Sequence, residues 1–384
     1  MLKKVILFFS FSFVAYGTVI AITPDSLLSN NQKRADINLS FLEKSLLQTE
    51  VYSKNVLLKA PLRVMQSFDI DTKSNIYYSQ IGAVSGRVQG KTKSHELYIL
   101  KGRANQDAQR DYMTLKYFGH GSNIAIEEEN GEVYVWVTSN ASKNLATAEY
   151  EDSRSVSRIK YESGKVYENG YAGETYFLNN GIYNVHPALD LPNDVLAISA
   201  TKDGGRYFYF YRLSEAKKLL AESFEVKVTL GGEELGSEER IETRQVRGYD
   251  LSKLRPVSSF HLPKGSNKKT DVNSYSFQGF DVDGDYMVFY EGDGNKNNSE
   301  NGPSNAYVTV FSLDGKVICG RTKVNAIADM GQLEEVGITN TGYMEAEGIK
   351  IKGNRIYLAF ASRGFPLSND KYRRANILTY DWRK

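Results

Sequence analysis

Cysteine occurs once in 384 residues, at Cys319, which excludes a disulfide framework and any cysteine-based metal site. The four histidines show no paired His-x-His spacing, so a metal centre is not expected from them either. Charge of either sign is not in excess: 48 basic against 46 acidic residues give a net charge of +2. That balance removes the electrostatic case for nucleic acid, which calls for a basic stripe or a strongly basic domain. No P-loop, nucleophile elbow or zinc-protease motif is present, and no cofactor is expected. Proline is also sparse, at 8, whereas tyrosine and phenylalanine number 26 and 18. Aromatic rings pack well on pleated surfaces, so the composition points to strands.

Long apolar runs are missing as well. Residues 5–15 are largely apolar but interrupted by serines, too short to span a bilayer comfortably. With Lys3-Lys4 before them and Val19-Ile20-Ala21 after, residues 1–21 read as a secretory signal peptide cut near Ala21. The mature chain is then secreted or held at the envelope, with no stable membrane insertion. A lone thiol suits that compartment.

What the chain does have is a repeated hairpin. Gln278-Gly279-Phe280-Asp281-Val282-Asp283 alternates in polarity, turns at Gly284-Asp285, and resumes as Tyr286-Met287-Val288-Phe289-Tyr290. Alternation at period two with Asp-Gly between the runs is a hairpin signal. Equivalent units are anchored at Phe68, Ile124, Leu189 and Ile349, so the anchors recur at intervals of 56, 65, 91 and 69 residues. Hairpins that cannot bury both faces alone must stack on their neighbours, and radial closure leaves only short edges. The expected fold is therefore all-β, a five-bladed β-propeller over residues 61–384 preceded by a short N-terminal extension, 22–60.

Details follow from local pattern. Ser40-Phe41-Leu42-Glu43 has capping-box spacing, and Phe41, Leu42, Leu46 and Leu47 would line one face of a short helix. Val51 to Leu62 is a strand that would complete the last blade. The 91-residue interval holds an insertion, with a helix over Ser214 to Ala221 and strands near Phe224–Thr229 and Arg240–Tyr249. Residues 293–304, rich in Gly, Asn and Asp, form a surface loop. Its Asp293-Gly294-Asn295-Lys296-Asn297 start has calcium-loop oxygen spacing, but Ser304 occupies the closing Glu position, so calcium is not expected.

Tyr117-Phe118-Gly119-His120-Gly121-Ser122-Asn123-Ile124-Ala125-Ile126-Glu127, with Val133-Tyr134-Val135-Trp136, resembles the signature of the bacterial teichoic acid biosynthesis protein C group. That group includes the propeller domain of staphylococcal phage receptor-binding proteins. Gln278 to Asp283, Glu345-Ala346-Glu347-Gly348-Ile349 and Ile377 to Trp382 also resemble helveticin, a secreted bacteriocin. The resemblance runs from about Met65 to Trp382. It implies a five-bladed propeller at a Gram-positive-type envelope, with cell-wall glycopolymer or a surface glycan as partner. Phage stem and tower regions have no counterpart, so a phage tail part is not expected.

The first strand of a blade lines the channel, so residues at its start converge on one mouth. Gln66, Ser122, Pro187, Gln278 and Glu347 stand two positions before the anchors, with His120, His186 and Glu345 close by. Gln66, His120, Ser122, His186, Gln278, Glu345 and Glu347 are the candidate ligand-binding set, able to bind sugar hydroxyls or phosphate. The plain alternative is that they only satisfy neighbouring blades. Asp69, Asp281 and Asp283 could form a glycosidase acid/base set, but the last two sit where Asp is favoured for local turn hydrogen bonds. Tyr167, Tyr171, Tyr176 and Phe177 could stack on sugar rings. The expected function is a non-enzymatic propeller that recognises surface glycopolymer, as a helveticin-like bacteriocin. A hydrolase cutting glycosidic or phosphodiester bonds at the channel mouth is the alternative, and a structural envelope protein is a third.

Overall fold

The structure is a computed structural model describing residues 36–82, 94–145, 149–178, 181–231, 238–295, 302–364 and 369–384. The expected signal peptide, and residues 296–301 of the predicted loop, lie outside them. Nearly all regular structure is strand, in five small, mainly antiparallel sheets. Their innermost strands are Met65–Ile70, Ala125–Glu129, Tyr183–Asp190, Phe277–Asp283 and Tyr343–Lys352. The protein is a five-bladed propeller, its blades numbered 1 to 5 here in that order.

Closure can be read from the core. Each of five apolar clusters joins two successive blades. Ile99 and Leu115 meet Ile126 and Val135 between blades 1 and 2, and Trp136 and Val156 meet Leu196 and Ile198 between 2 and 3. Phe208 and Phe210 meet Phe280 and Phe289 between 3 and 4, and Val288 and Val308 meet Ile349 and Leu358 between 4 and 5. Phe68 and Tyr78 meet Ala359 and Ile377 between 5 and 1, which closes the ring. Four anchors lie on innermost strands, and Ile124 immediately precedes one; all five are buried.

The ring is latched by the N-terminal segment. Strand Glu50–Val56 pairs antiparallel with Arg374–Asp381 and is the outermost strand of blade 5. Upstream, the expected helix is instead two single 3-10 turns, Ser40–Leu42 and Leu46–Gln48. Phe41, Leu42 and Leu46 are buried in the cluster between blades 4 and 5, while Leu47 is exposed. The three side chains dock on the blade face from short turns, so tertiary packing rather than helix propensity holds the segment.

The insertion lies within blade 3, between Gly205–Arg212 and Ser258–Leu262. Its helix is one turn, Leu213–Ala216, shorter than expected, and Ser214 donates to Asp194 rather than capping it. The two predicted strands form the hairpin Glu222–Leu230 and Arg240–Asp250, which docks on the edge of blade 2 through the parallel pair Tyr176↔Tyr249. That docking buries Tyr176 and Phe177, which stack on Trp136 and Tyr249 and on Phe224 respectively. Neither ring is offered to a sugar. This corrects the stacking expectation for both.

Asp281 and Asp283 also depart from expectation. Rather than closing their own turn, they tie other segments together. Asp281 accepts from Ile351 N in blade 5 at 2.7 Å, and Asp283 accepts from Trp382 Nε1 at 2.6 Å. Asp69 accepts from Ile126 N in blade 2, and Asp190 from Gly284 N in blade 4. Alternation on an inner strand turns such carboxylates toward the next blade, where a backbone N–H stands without an in-sheet partner.

Candidate active site at the channel mouth

A β-bulge repeats at the start of the inner strands. Pairing skips one residue between Met65 and Ser67, between Phe277 and Gly279, and between Ala346 and Gly348. The skipped residues are Gln66, Gln278 and Glu347. In blade 3 a similar shift falls between Tyr183 and His186. A bulge leaves its extra residue out of the ladder and re-aims its side chain. Gly279 and Gly348 hold φ of +136° and +138°, values that a side chain rarely allows, which explains Gln-Gly and Glu-Gly before two of the anchors.

Those side chains meet. Gln66, His120, Ser122, His186, Gln278, Glu345 and Glu347 all line one cavity of about 470 Å³. Pro187 does not; its carbonyl accepts from Asn123 Nδ2, and His186 and Asn184 represent blade 3 instead. Beneath the mouth, Asn123 also donates to Phe280 O and accepts from Lys350 Nζ, linking four blades. A second cavity of about 560 Å³ opens at the opposite end of the channel, lined by Ile70, Ile126, Leu189, Val282 and Ile351.

The electrostatics of the mouth are uneven. Burial, then the Glu345 charge, holds the Glu347 carboxyl well above the usual range against the pull of Arg373. Glu347 is 2% exposed and its Oε1 has no hydrogen-bond partner. Burial therefore favours the neutral, protonated form of this carboxyl. His186 is shifted the other way: burial, then Arg206 and His120, holds it well below its ordinary value, so its ring is neutral. Its Nε2 meets Asn184 Oδ1 at 2.6 Å, and its Nδ1 has no partner.

Across the cavity, His120 Nδ1 lies 3.3 Å from Glu149 Oε2. His120, Glu149 and Glu151 bring their ligating atoms within 4.8 Å of one another, close enough to share a cation or to hold and deprotonate a water. Two histidines were the sequence candidates for such work, but the cluster takes His120 without His186. Glu149, Glu151, Arg63, Asn184 and Arg206 are lining residues that sequence reasoning missed. The i, i+2 spacing of Glu149 and Glu151 entering strand Tyr150–Lys160 was a usable signal, since it puts both on one face. Arg206 gave none.

Comparison with known proteins places these features. Residues 64–167 match the phage 5-bladed beta propeller receptor binding platform domain. The putative major teichoic acid biosynthesis protein C of Bacillus subtilis (strain 168) is 25% identical over 261 residues, 66% of this chain and 46% of that protein. The chain therefore spans less than half the length of that relative. Among solved structures, a GH43_1 enzyme from Xanthomonas citri aligns over 88% of this chain and 92% of its own at 13% identity and a TM-score of 0.37. TolB from Acinetobacter baumannii aligns over 82% and 66% at 13% identity and a TM-score of 0.22. Among the described residues no helix is long and apolar enough to cross a membrane.

The expectation of a protein without catalytic activity is corrected by the mouth itself. A His/Glu/Glu cluster and a separately buried glutamic acid, its carboxyl held well above the usual range, face one cavity. Such a carboxyl beside such a cluster offers a candidate proton donor and a candidate water site, which plain recognition does not call for.

Proposed function

We propose that this chain is a hydrolase of a carbohydrate-containing surface polymer, cutting glycosidic or phosphodiester bonds at the polar mouth of its propeller. The observation that carries the reading is Glu347, a carboxyl buried in the wall of the cavity that also holds His120, Glu149 and Glu151. In the reaction, Glu347 gives its proton to the oxygen of the leaving group. Water at the His120–Glu149–Glu151 cluster loses a proton to that cluster as its oxygen attacks, so the active site ends with one proton exchanged and the bond hydrolysed. Gln66 and Gln278, on bulged, rigid strands, and Ser122, just before the inner strand of blade 2, hold substrate hydroxyls or phosphoryl oxygens. The sequence likeness to a teichoic acid biosynthesis protein supports a phosphate- and sugar-containing polymer as substrate. The polymer would be met at the envelope or outside the cell. The bacteriocin reading draws no support from the site or from the comparisons.

Isolated Gram-positive wall glycopolymer, incubated with the protein, should yield new reducing ends or new phosphomonoesters. Glu347→Gln removes the proton donor and should slow the reaction by roughly 10²–10⁴-fold, the usual range for a general acid. Glu151→Gln should slow it with unchanged folding. Absence of both products, or full activity in both variants, refutes the proposal.

A further inference from the structure

One cavity-lining group has no role in the acid/base scheme. Arg206 lines the mouth, is 6% exposed, and sits at the start of the third strand of blade 3. Its Nη1 donates to Ser199 Oγ at 2.9 Å, and its Nε is buried without a partner. The guanidinium lies 3.9 Å from the Phe277 ring centroid, which fixes its plane. Among the described residues no carboxylate pairs with it; burial lowers its pKa to about 9, and only Tyr183 works the other way. The neighbouring basic side chain, His186, is neutral for the same reasons. A buried cation without a counter-ion is costly, and one is retained where a ligand supplies the charge. Elsewhere this chain neutralises its buried arginines: Arg158 has Glu127, and Arg321 has Glu291 at 2.7 Å. Buried Arg206 has no such partner among the described residues, and it faces a cavity.

We propose that Arg206 is an anion subsite that holds a phosphodiester oxygen of the substrate. This rests on the hydrolase reading and deepens it, assigning the mouth to a phosphate-linked polymer rather than a neutral glycan. A planar guanidinium presenting its Nε edge matches a phosphoryl oxygen pair. Phe277 behind it and Ser199 at its Nη1 hold that edge in place. Arg63, which also lines the cavity, adds a second positive charge.

The test reads anion binding, not turnover, so it is independent of whether hydrolysis is ever observed. Dimethyl phosphate and glucuronate are titrated against the folded full chain at constant ionic strength, following the urea midpoint. Dimethyl phosphate should raise the midpoint of the wild type, and glucuronate should not. Arg206→Met should abolish that response, weakening dimethyl phosphate binding at least tenfold. It should also raise the midpoint without ligand, because an uncompensated buried charge is removed; a merely structural arginine would give the opposite sign. Arg206→Lys should keep part of the response. No dimethyl phosphate response in the wild type overturns the proposal even if no variant folds. Protection by glucuronate alone overturns the phosphodiester assignment, and a lowered midpoint with an intact response in Arg206→Met overturns the role of this residue.

Discussion

Replacing Arg158 by Met tests the buried ion-pair cluster of blade 2 on which Lys217 of blade 3 docks. The guanidinium is buried and contacts Glu127 at 2.7 Å, Glu129 at 2.5 Å and Glu174 at 2.9 Å. It also lies 3.5 Å above the Tyr134 ring. Glu127 is 3% exposed and accepts in addition from Trp136 Nε1 and from Lys217, which follows the single helical turn in blade 3. Methionine keeps the apolar stem and removes the charge. Breaking a buried pair by deleting one partner costs about 3–5 kcal/mol. Lys217 and Trp136 still serve Glu127, which places Arg158→Met near the low end, at about 3 kcal/mol.

The pH dependence has a definite sign. Burial pushes the Glu127 pKa up, but the hydrogen bonds from Arg158, Lys217 and Trp136 outweigh it and hold the group below its ordinary value. A depressed carboxyl stabilises the fold above its unfolded pKa and loses that contribution as pH falls through the folded value. Without Arg158 the burial effect gains ground. The gap between wild type and variant should therefore be largest near neutrality and shrink as pH falls below about 4.5, the ordinary Glu value given for this site. Urea unfolding followed by tryptophan fluorescence reads it directly, since Trp136 reports from inside the cluster, and the denaturant slope should not change. Adding Glu127→Gln should recover most of the loss. A cost under about 1 kcal/mol, a gap independent of pH, or a double variant no better than Arg158→Met would refute the argument.

Two further outcomes test the mouth. Gly348→Ala puts a Cβ 3.2 Å from Phe68 Cδ1 on a backbone with φ of +138°, so it should cost about 1–3 kcal/mol in urea unfolding and disturb the Glu347 bulge; an unaffected midpoint would show that the bulge is not strained by a side chain. His186 stays neutral in the fold while its unfolded form titrates near 6.5, so the wild type should lose about 1 kcal/mol between pH 7.5 and 5.5 and His186→Gln should not; equal losses in both would refute the neutral assignment.

The sequence carried the ring and most of its mouth because both depend on local pattern. Period-two alternation with a polar turn marks an inner hairpin wherever it falls, and the bulge residue sits at a fixed offset from the apolar anchor. Gln66, Gln278 and Glu347 were found by that offset alone. What stayed hidden was set by contacts between distant segments. Glu149 and Glu151 flank the start of the third strand of blade 2, and Arg206 comes from the third strand of blade 3, where no offset from an anchor applies. Tyr176 and Phe177 looked free because the hairpin that covers them arrives from the insertion in blade 3. Asp281 and Asp283 looked like turn residues because their partners, Ile351 N and Trp382 Nε1, lie 70 and 99 residues away.

The two ends of the channel are built from the same five inner strands but treat polar groups in opposite ways. At one end the pairing is regular, and Asp69, Asp190 and Asp281 each accept a backbone N–H from another blade. Those carboxylates are spent on assembly. At the other end four of the five inner strands are bulged, and His186 Nδ1, Arg206 Nε and Glu347 Oε1 are buried with no partner. Leaving a buried polar atom unsatisfied costs about 1–3 kcal/mol, and more when the group is charged. Stability alone would favour regular pairing at both ends, as the Asp end demonstrates within the same strands. The bulged end gives up that stability at several positions around a single cavity, with an acid, a neutral base and a cation among the groups left open. A bound substrate with acceptor oxygens and anionic charge for Arg206 and Glu347, and a hydroxyl donor for His186 Nδ1, would satisfy all three at once, which is what the proposed hydrolase asks of that mouth.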